Sequence, residues 1–401
     1  MGIEAPIKKA NSQHTKSHNR LLILKTIYKN DRISRANIAR ATGLTRATVS
    51  DAVSELKNDG IIVEAGVGKS KGGKPPIHLS FAADARCLLG IDLGESEFCG
   101  AVINLRGEIK HRLHGQIQRG NGDPVLESVY ALIDRLIPLA PSPILGIGIG
   151  TPGLVDPHQG IVRKAVNLGW DELRLGELLR ERYHVPVHIA NDSHVAALAE
   201  FTFGGNGSSP NLIVIKMSRG IGAGIVLDRR LYHGDGFGAG ELGHVVFVDD
   251  GEPCRCGHRG CLETLAGSEY IVRTAQAIAR SGVDCALSRF AAAPEEIDIE
   301  AVSAAVAAGD RALGAHIAEV GRHVGRALAG MVGMLNVRRI VLAGSVAGFG
   351  RALLDPIRQE IGRRSLPSLA EATTVETTTL GNDIVLLGAA ALILNGELGL
   401  P

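Results

Sequence analysis

Glu241-Leu-Gly-His244 and, after nine intervening residues, Cys254-Arg-Cys-Gly-His-Arg-Gly-Cys261-Leu-Glu263 gather one histidine and three cysteines into a single short stretch. His244, Cys254, Cys256 and Cys261 supply one nitrogen and three sulfurs, the donor set of a closed tetrahedral Zn2+ site. Four protein ligands leave no open position for a reacting water, so the spacing predicts a structural rather than a catalytic zinc at 244–261. Gly257 and Gly260 let so short a segment turn back on itself. Glu241 and Glu263 bracket the cluster with carboxylates suited to hydrogen-bonding a polyol, and a metal here would hold a binding wall in shape. The other cysteines, Cys87, Cys99 and Cys285, read as small buried hydrophobes.

Working outward, 401 residues with 45% apolar side chains are enough for two or three domains with real cores. The late apolar run from Ile384 to Leu394 is too short and too rich in Gly and Ala to span a bilayer, and the N-terminus has no apolar signal region. No membrane partner is expected. The cytoplasm, where thiols and a zinc thiolate site persist, is the expected compartment.

The net charge of +1 hides an asymmetry. Residues 1–80 hold 14 Lys plus Arg against 6 Asp plus Glu, leaving 29 basic and 36 acidic residues for the rest. A basic module joined to an ordinary globular body fits that pattern, although a solvated basic face gives it too. Residues 1–19 are polar and read as a disordered tail.

From Arg20 the apolar spacing of Leu21 to Leu24, Ile27 and Tyr28 gives a first helix. Ser34 then caps a short helix carrying Ile38 and Ala39 and ending at Gly43. Thr45 caps a third, Arg46 to Asn58, with Val49, Val53 and Leu56 inward and Gly60 past its end. Ala41 to Thr45 is the tight turn of a helix-turn-helix. Ile61-Ile62-Val63, the lysine- and glycine-rich loop from Gly66 to Lys74, and Ile77 to Leu79 make a wing. The third helix would enter the major groove of operator DNA with Thr45, Arg46, Thr48 and Ser50 at its exposed N-terminal end. Lys69, Lys71 and Lys74 would touch phosphates or the minor groove. Winged helices also serve as protein-interaction modules; here basic excess and wing agree on double-stranded DNA. Reading two half-sites asks for a homodimer or homotetramer.

Beyond residue 85 strand-like runs alternate with helical segments, the mark of an α/β body. Leu88–Asp92, Gly100–Asn104, Ile144–Gly150, Val187–Ala190, Leu212–Met217, Gly224–Leu227 and Ile340–Leu342 read as strands.

Ile147-Gly-Ile-Gly-Thr-Pro-Gly153, Asn167-Leu-Gly-Trp170, Asn191-Asp192, Gly220-Ile-Gly-Ala-Gly224, Gly240-Glu-Leu-Gly-His244 and the cysteine cluster together closely resemble the ROK family of repressors, open reading frames and sugar kinases. The resemblance covers nearly the whole chain, winged helix included. It implies a winged helix-turn-helix at 20–82 followed, at 86–401, by an actin-like, sugar-kinase-type (ribonuclease H-like) body of two α/β lobes, with a sugar in the cleft and zinc beside it. Carried over, Asn167, Asn191, Asp192, Glu241, His244 and Glu263 fall on the family's sugar-bonding positions, with His244 serving metal and sugar together. By itself Asn191-Asp192 would read as a helix cap.

In the kinase branch of such a family Asp192 would be the general base that readies a sugar hydroxyl to attack ATP. Phosphoryl transfer also needs the nucleotide's phosphates cradled, and there the chain departs from the kinases. Glu95 replaces the second glycine of an Asp-x-Gly-Gly-Thr loop, Ser218-Arg219 replaces Gly-Thr in the second loop, and Ala343 opens the third where glycine is usual. A unit charge at about 4 Å from phosphate repels it by roughly 4 kcal/mol at an effective dielectric near 20. The resemblance therefore implies a sugar-responsive transcriptional regulator, a repressor of carbohydrate uptake or catabolism genes, rather than an enzyme. An ATP- and Mg2+-dependent sugar kinase using Asp192, alone or combined with regulation, is the alternative; a DNA-binding protein with a relic cleft is a third.

Overall fold

Three helices at the start of the chain, Ser12–Lys29, Arg35–Thr42 and Arg46–Asn58, close on one apolar interior. Ile23, Ile27, Ile38, Val49, Val53 and Leu56 in it are wholly buried. The protein is seen in a computed structural model that describes residues 12–68, 75–94, 97–116, 122–205, 209–283 and 285–400. Ser34 caps the second helix by accepting from the amide of Asn37 at 3.2 Å, and Thr45 caps the third by accepting from that of Thr48 at 3.2 Å. Strands Ile62–Val67 and Ile77–Phe81 form the antiparallel wing, joined by a short strand, Ile33–Ser34. The wing tip, with Lys69, Lys71 and Lys74, lies outside the described residues.

The first helix begins at Ser12, so residues 12–19, expected to be disordered, are helical instead. Lys16 pairs with Glu55 at 2.5 Å and Arg20 with Asp59 at 2.6 Å, tying this polar turn to the third helix. Ion pairs to a distant segment leave no apolar period to read.

The body contains two five-stranded sheets of identical topology. In each, three strands form an antiparallel meander and two later strands add in parallel beside the first. The first sheet comprises Cys87–Leu93, Phe98–Asn104 and Ile109–Gly115, then Ile144–Thr151 and Val187–Asn191. The second comprises Leu212–Met217, Ile221–Leu227 and Arg230–Tyr232, then Arg339–Ala343 and Thr374–Thr377. This duplicated sheet gives the α/β, actin-like body expected above. Each expected strand is present; Ile109–Gly115, Arg230–Tyr232 and Thr374–Thr377 are additional, lying at sheet edges.

The C-terminal helix Ile384–Leu398 returns from the second lobe to lie on the first sheet and on the helix Asp192–Phe203. Glycine makes that approach possible: a Cβ on Gly148 would stand 1.9 Å from the carbonyl oxygen of Ala389. The stretch Gly381–Leu398 is, by length and composition, apolar enough to cross a membrane, contrary to the shorter run read from sequence; 56% of it is buried inside the protein. A helix covered on most sides is apolar all round for that reason. Cys87 is buried as expected, but Cys99 and Cys285 are only partly so.

The DNA-binding module is continuous with the body. The Tyr28 hydroxyl donates to the carbonyl of Leu105 at 3.5 Å, and the Arg106 guanidinium lies 4.2 Å from the centre of the Tyr28 ring. At the other end of the junction Leu21 packs on Gly399, just past the C-terminal helix whose first residues, Ile384 and Val385, reach the cleft between the lobes.

Candidate functional site

A cleft of about 1010 Å3 separates the two sheets, and Asn167, Asn191, Asp192, Glu241, His244 and Glu263 all line it. They arrive on several different pieces of the fold. Asn167 sits in the turn Val166–Leu168 of a small hairpin sheet, between strands Ile161–Ala165 and Trp170–Leu173. Asn191 ends the last strand of the first sheet and Asp192 begins the helix after it. Glu241 and His244 flank the turn Leu242–His244, and Glu263 opens the helix Glu263–Ala266 directly after the cysteine cluster.

Asn191 is first of all a helix cap. Its side-chain oxygen accepts from the amides of Ser193 at 2.8 Å and His194 at 3.3 Å, and its NH2 donates to the carbonyl of Gly153 at 2.9 Å. The amide thereby fixes Asp192 at the helix N-terminus, where a carboxylate is favoured.

Two cations that sequence reasoning overlooked are engaged with this set. Lys216, on the first strand of the second sheet, donates to Asp192 at 2.8 Å. Arg255, between Cys254 and Cys256, donates through Nε to Glu263 at 2.9 Å and through Nη1 to the side-chain oxygen of Asn167 at 2.9 Å. Lys216 carried a signal, a lone charge in the otherwise apolar run Leu212-Ile-Val-Ile-Lys-Met217. Arg255 carried none. At the floor of the cleft Asp92 has its carboxyl pushed up to about 7 by burial, a rise that Asp192 adds to and Lys216 opposes.

The four expected metal ligands converge. The ligand atoms of His244, Cys254, Cys256 and Cys261 all lie within 4.8 Å of one another. Cys254 Sγ is 3.5 Å from His244 Nδ1, and the sulfurs of Cys256 and Cys261 are 3.6 Å apart. Donors held at about 2.0–2.3 Å around one tetrahedral ion stand under about 4 Å from each other, so a small inward shift of these residues would close them on a metal. Burial opposes ionisation of all three thiols and raises Cys254 and Cys261, yet hydrogen bonds from His258 and the neighbouring thiols bring Cys256 down to about 6, so Cys256 is the one that favours the thiolate. His244 Nε2, on the far side of its ring, stands 4.0 Å from Glu241.

The opposite end of the cleft is built differently. Arg219 reaches across to Glu269 at 3.2 Å, and Asp298 and Glu300 add carboxylates to the same wall. In the third loop Ala343 ends its strand and Gly344 follows at φ 88°, with the Ser218 hydroxyl 2.6 Å from where a Cβ on Gly344 would stand. Glu95 lies outside the described residues.

On the DNA-binding module, Thr45, Arg46 and Ser50 are exposed at the N-terminal end of the third helix, and Thr48 is partly so. Thr45 and Thr48 also bond each other through their hydroxyls at 2.9 Å, so capping takes up part of their hydrogen-bonding capacity.

Comparison with known proteins places these features. The ROK family matches residues 88–395, and a winged helix-turn-helix DNA-binding family matches residues 16–63. A xylose repressor of Caldicellulosiruptor bescii is 32% identical over 390 residues, 96% of this chain and 98% of that protein. Among solved structures, a ROK family transcriptional regulator described as a homologue of the E. coli MLC protein superposes with a TM-score of 0.84 at 30% identity, covering 96% of this chain and 98% of that one. A ROK family glucokinase from Streptomyces griseus, solved with glucose and AMPPNP, gives a TM-score of 0.70 at 26% identity, covering 77% of this chain and 100% of its own.

Proposed function

The chain belongs to the ROK family, and from that premise we propose that it is a sugar-responsive transcriptional repressor of carbohydrate uptake or catabolism genes, not a kinase. The observation that carries the proposal is the joining, in one chain, of an exposed helix-turn-helix end to a cleft lined by Asn167, Asn191, Asp192, Glu241, His244 and Glu263. Relatives that match it from end to end are repressors and regulators by name.

The cleft's chemistry supports binding without phosphoryl transfer. A general base needs an oxygen free to face the reacting hydroxyl, and Lys216 already occupies one oxygen of Asp192 at 2.8 Å. Phosphates are cradled by backbone amides that side chains leave open, whereas here the second loop carries Ser218 and Arg219 where the kinases have glycine and threonine, and Arg219 is paired with Glu269 beside it. A zinc ion on His244, Cys254, Cys256 and Cys261 would brace the loop that carries Arg255 and presents Glu263. With four protein ligands it would supply shape, not a reactive water.

Thr45, Arg46, Thr48 and Ser50 would read bases, with Lys69, Lys71 and Lys74 on phosphates, as a homodimer or homotetramer in the cytoplasm. Linkage requires the sugar to bind the DNA-competent and incompetent states unequally. The C-terminal helix, running from the cleft at Ile384 to Leu21 of the DNA-binding module, offers a rigid path for that difference. Two assays test the proposal. Sugar affinity should differ with and without saturating operator, and ADP release with a sugar panel should stay at background. Equal sugar affinities would remove the regulator, while sugar-dependent ADP release that disappears in Asp192→Asn would establish the kinase.

A further inference from the structure

Four cations line the described part of the cleft, and every one of them is already paired with a carboxylate. Lys216 holds Asp192 at 2.8 Å, Arg255 holds Glu263 at 2.9 Å and Arg219 holds Glu269 at 3.2 Å. Lys164, at the rim, pairs with Asp171. Seven carboxylates line the same space, so its fixed charge is negative and no cation stands unengaged for an incoming anion. In a confined cleft with low-dielectric walls such a field is focused on whatever enters. A phosphate or carboxylate on the sugar would have to break an existing ion pair and then sit among the remaining acids. Hydroxyls, which donate and accept without charge, meet no such repulsion from the remaining acids.

Arg255 shows how the hydroxyls would be received. Its guanidinium spans the two sides of the cleft, donating to Asn167 on the first lobe's hairpin and to Glu263 on the cysteine-cluster wall. Both acceptors belong to the sugar set, and both distances, 2.9 Å, are those a pair of sugar hydroxyls would make. The Arg255 side chain is 27% exposed, while that of Glu263 is only 10% exposed. The arginine therefore has a way out to water, and the glutamate, which stays, keeps only the Ile221 amide at 3.3 Å on its other oxygen and needs a donor in the arginine's place.

We propose that the cleft takes an uncharged, unphosphorylated sugar, and takes it by exchange, with sugar hydroxyls replacing the Arg255 guanidinium on Asn167 and Glu263. The inference rests on the sugar-sensor function proposed above. Arg255 is then an internal stand-in for the effector. It keeps Glu263 paired and the two sides of the cleft bridged while no sugar is present, and the bridge passes to the sugar on binding.

The test is calorimetric titration of the full chain, metal-loaded, at fixed pH and salt. The neutral probes are D-xylose, D-glucose and N-acetylglucosamine; the charged ones are glucuronate, glucose 6-phosphate and N-acetylglucosamine 6-phosphate. A neutral sugar should bind, and its charged counterpart should bind at least tenfold more weakly. In Arg255→Ala the competitor is gone, so the neutral sugar should bind about three- to tenfold tighter. Because that loop carries metal ligands, Arg255→Gln serves as a second variant, with metal content and Tm checked for both. A charged sugar binding as tightly as its neutral partner overturns the inference but leaves the sensor function standing. Neutral-sugar binding weakened in both metal-loaded variants would make Arg255 a direct sugar contact and overturn the exchange. Absence of binding by every probe overturns this inference together with the sensor function beneath it.

Discussion

The two ends of the cleft lie between sheets of the same topology, yet they hold opposite kinds of chemistry. At the sugar end, side chains from the first sheet, the small hairpin and the cysteine loop converge, and each is positioned by a cap, an ion pair or a metal-type cluster. At the other end the kinases' cradle depends on what is missing, namely side chains that would cover backbone amides. On the proposed reading, the difference lets one function be lost while the other stays: polyol recognition rests on separate donors and acceptors, whereas a phosphate cradle depends on backbone amides that a few side chains and charges can spoil.

The largest expected effect breaks the sugar end outright. Asp192→Ala leaves Lys216 without its carboxylate and removes a central acceptor, so sugar affinity should fall by about 100-fold or more, roughly 3 kcal/mol. Calorimetry on the folded variant measures this; an unchanged affinity would move the sugar elsewhere. Next comes Cys256→Ser, which should lower metal content and, through the slackened loop, sugar affinity by about 10- to 100-fold. Elemental analysis beside the same titration checks both. Sugar binding that survives loss of the metal would show the cluster to be local scaffolding, unrelated to the wall.

A smaller effect sharpens the electrostatic side of the comparison. Asp92 has a carboxyl raised to about 7 in the folded protein, above the ordinary value of 3.8. The folded state therefore binds this proton more tightly than the unfolded one. Its contribution to stability is fully present below about pH 4 and is lost as pH rises through about 7. Asp92→Asn stays neutral throughout, so its Tm advantage over the native chain should be absent near pH 4 and grow towards pH 8. A pH-independent difference in Tm would contradict this origin. The smallest effect is the most specific: Arg219→Thr, at the phosphate end, should leave sugar affinity within about twofold and ADP release at background, because Lys216 still holds Asp192.

Legibility in the sequence followed how local each signal is. The cysteine cluster was readable because its donors are close in sequence, and the six cleft residues because their motifs resemble a family. Lys216–Asp192 and Arg255–Asn167 were not, because the partners stand 24 and 88 residues apart and nothing in either neighbourhood names the other. Asn191 shows both signals the sequence offered: its side-chain oxygen caps the helix, and the residue lines the cleft. Ile109–Gly115 escaped notice because an edge strand facing water needs no apolar alternation, as Lys110, His111, Arg112 and His114 in it attest. The length of the C-terminal helix was missed for the opposite reason: buried on most sides, it has no polar face to give it a period.

The coupling of the cleft to the DNA-binding module is the central claim, and one titration meets it directly. Fluorescently labelled DNA from upstream of the gene is titrated with the full chain at one fixed near-physiological salt, since phosphate contacts make affinity salt-dependent, with and without each neutral sugar. The account predicts that one sugar shifts DNA affinity by about tenfold or more, a coupling of about 1.4 kcal/mol. DNA binding that ignores every saturating sugar, or no DNA binding at all, would contradict it.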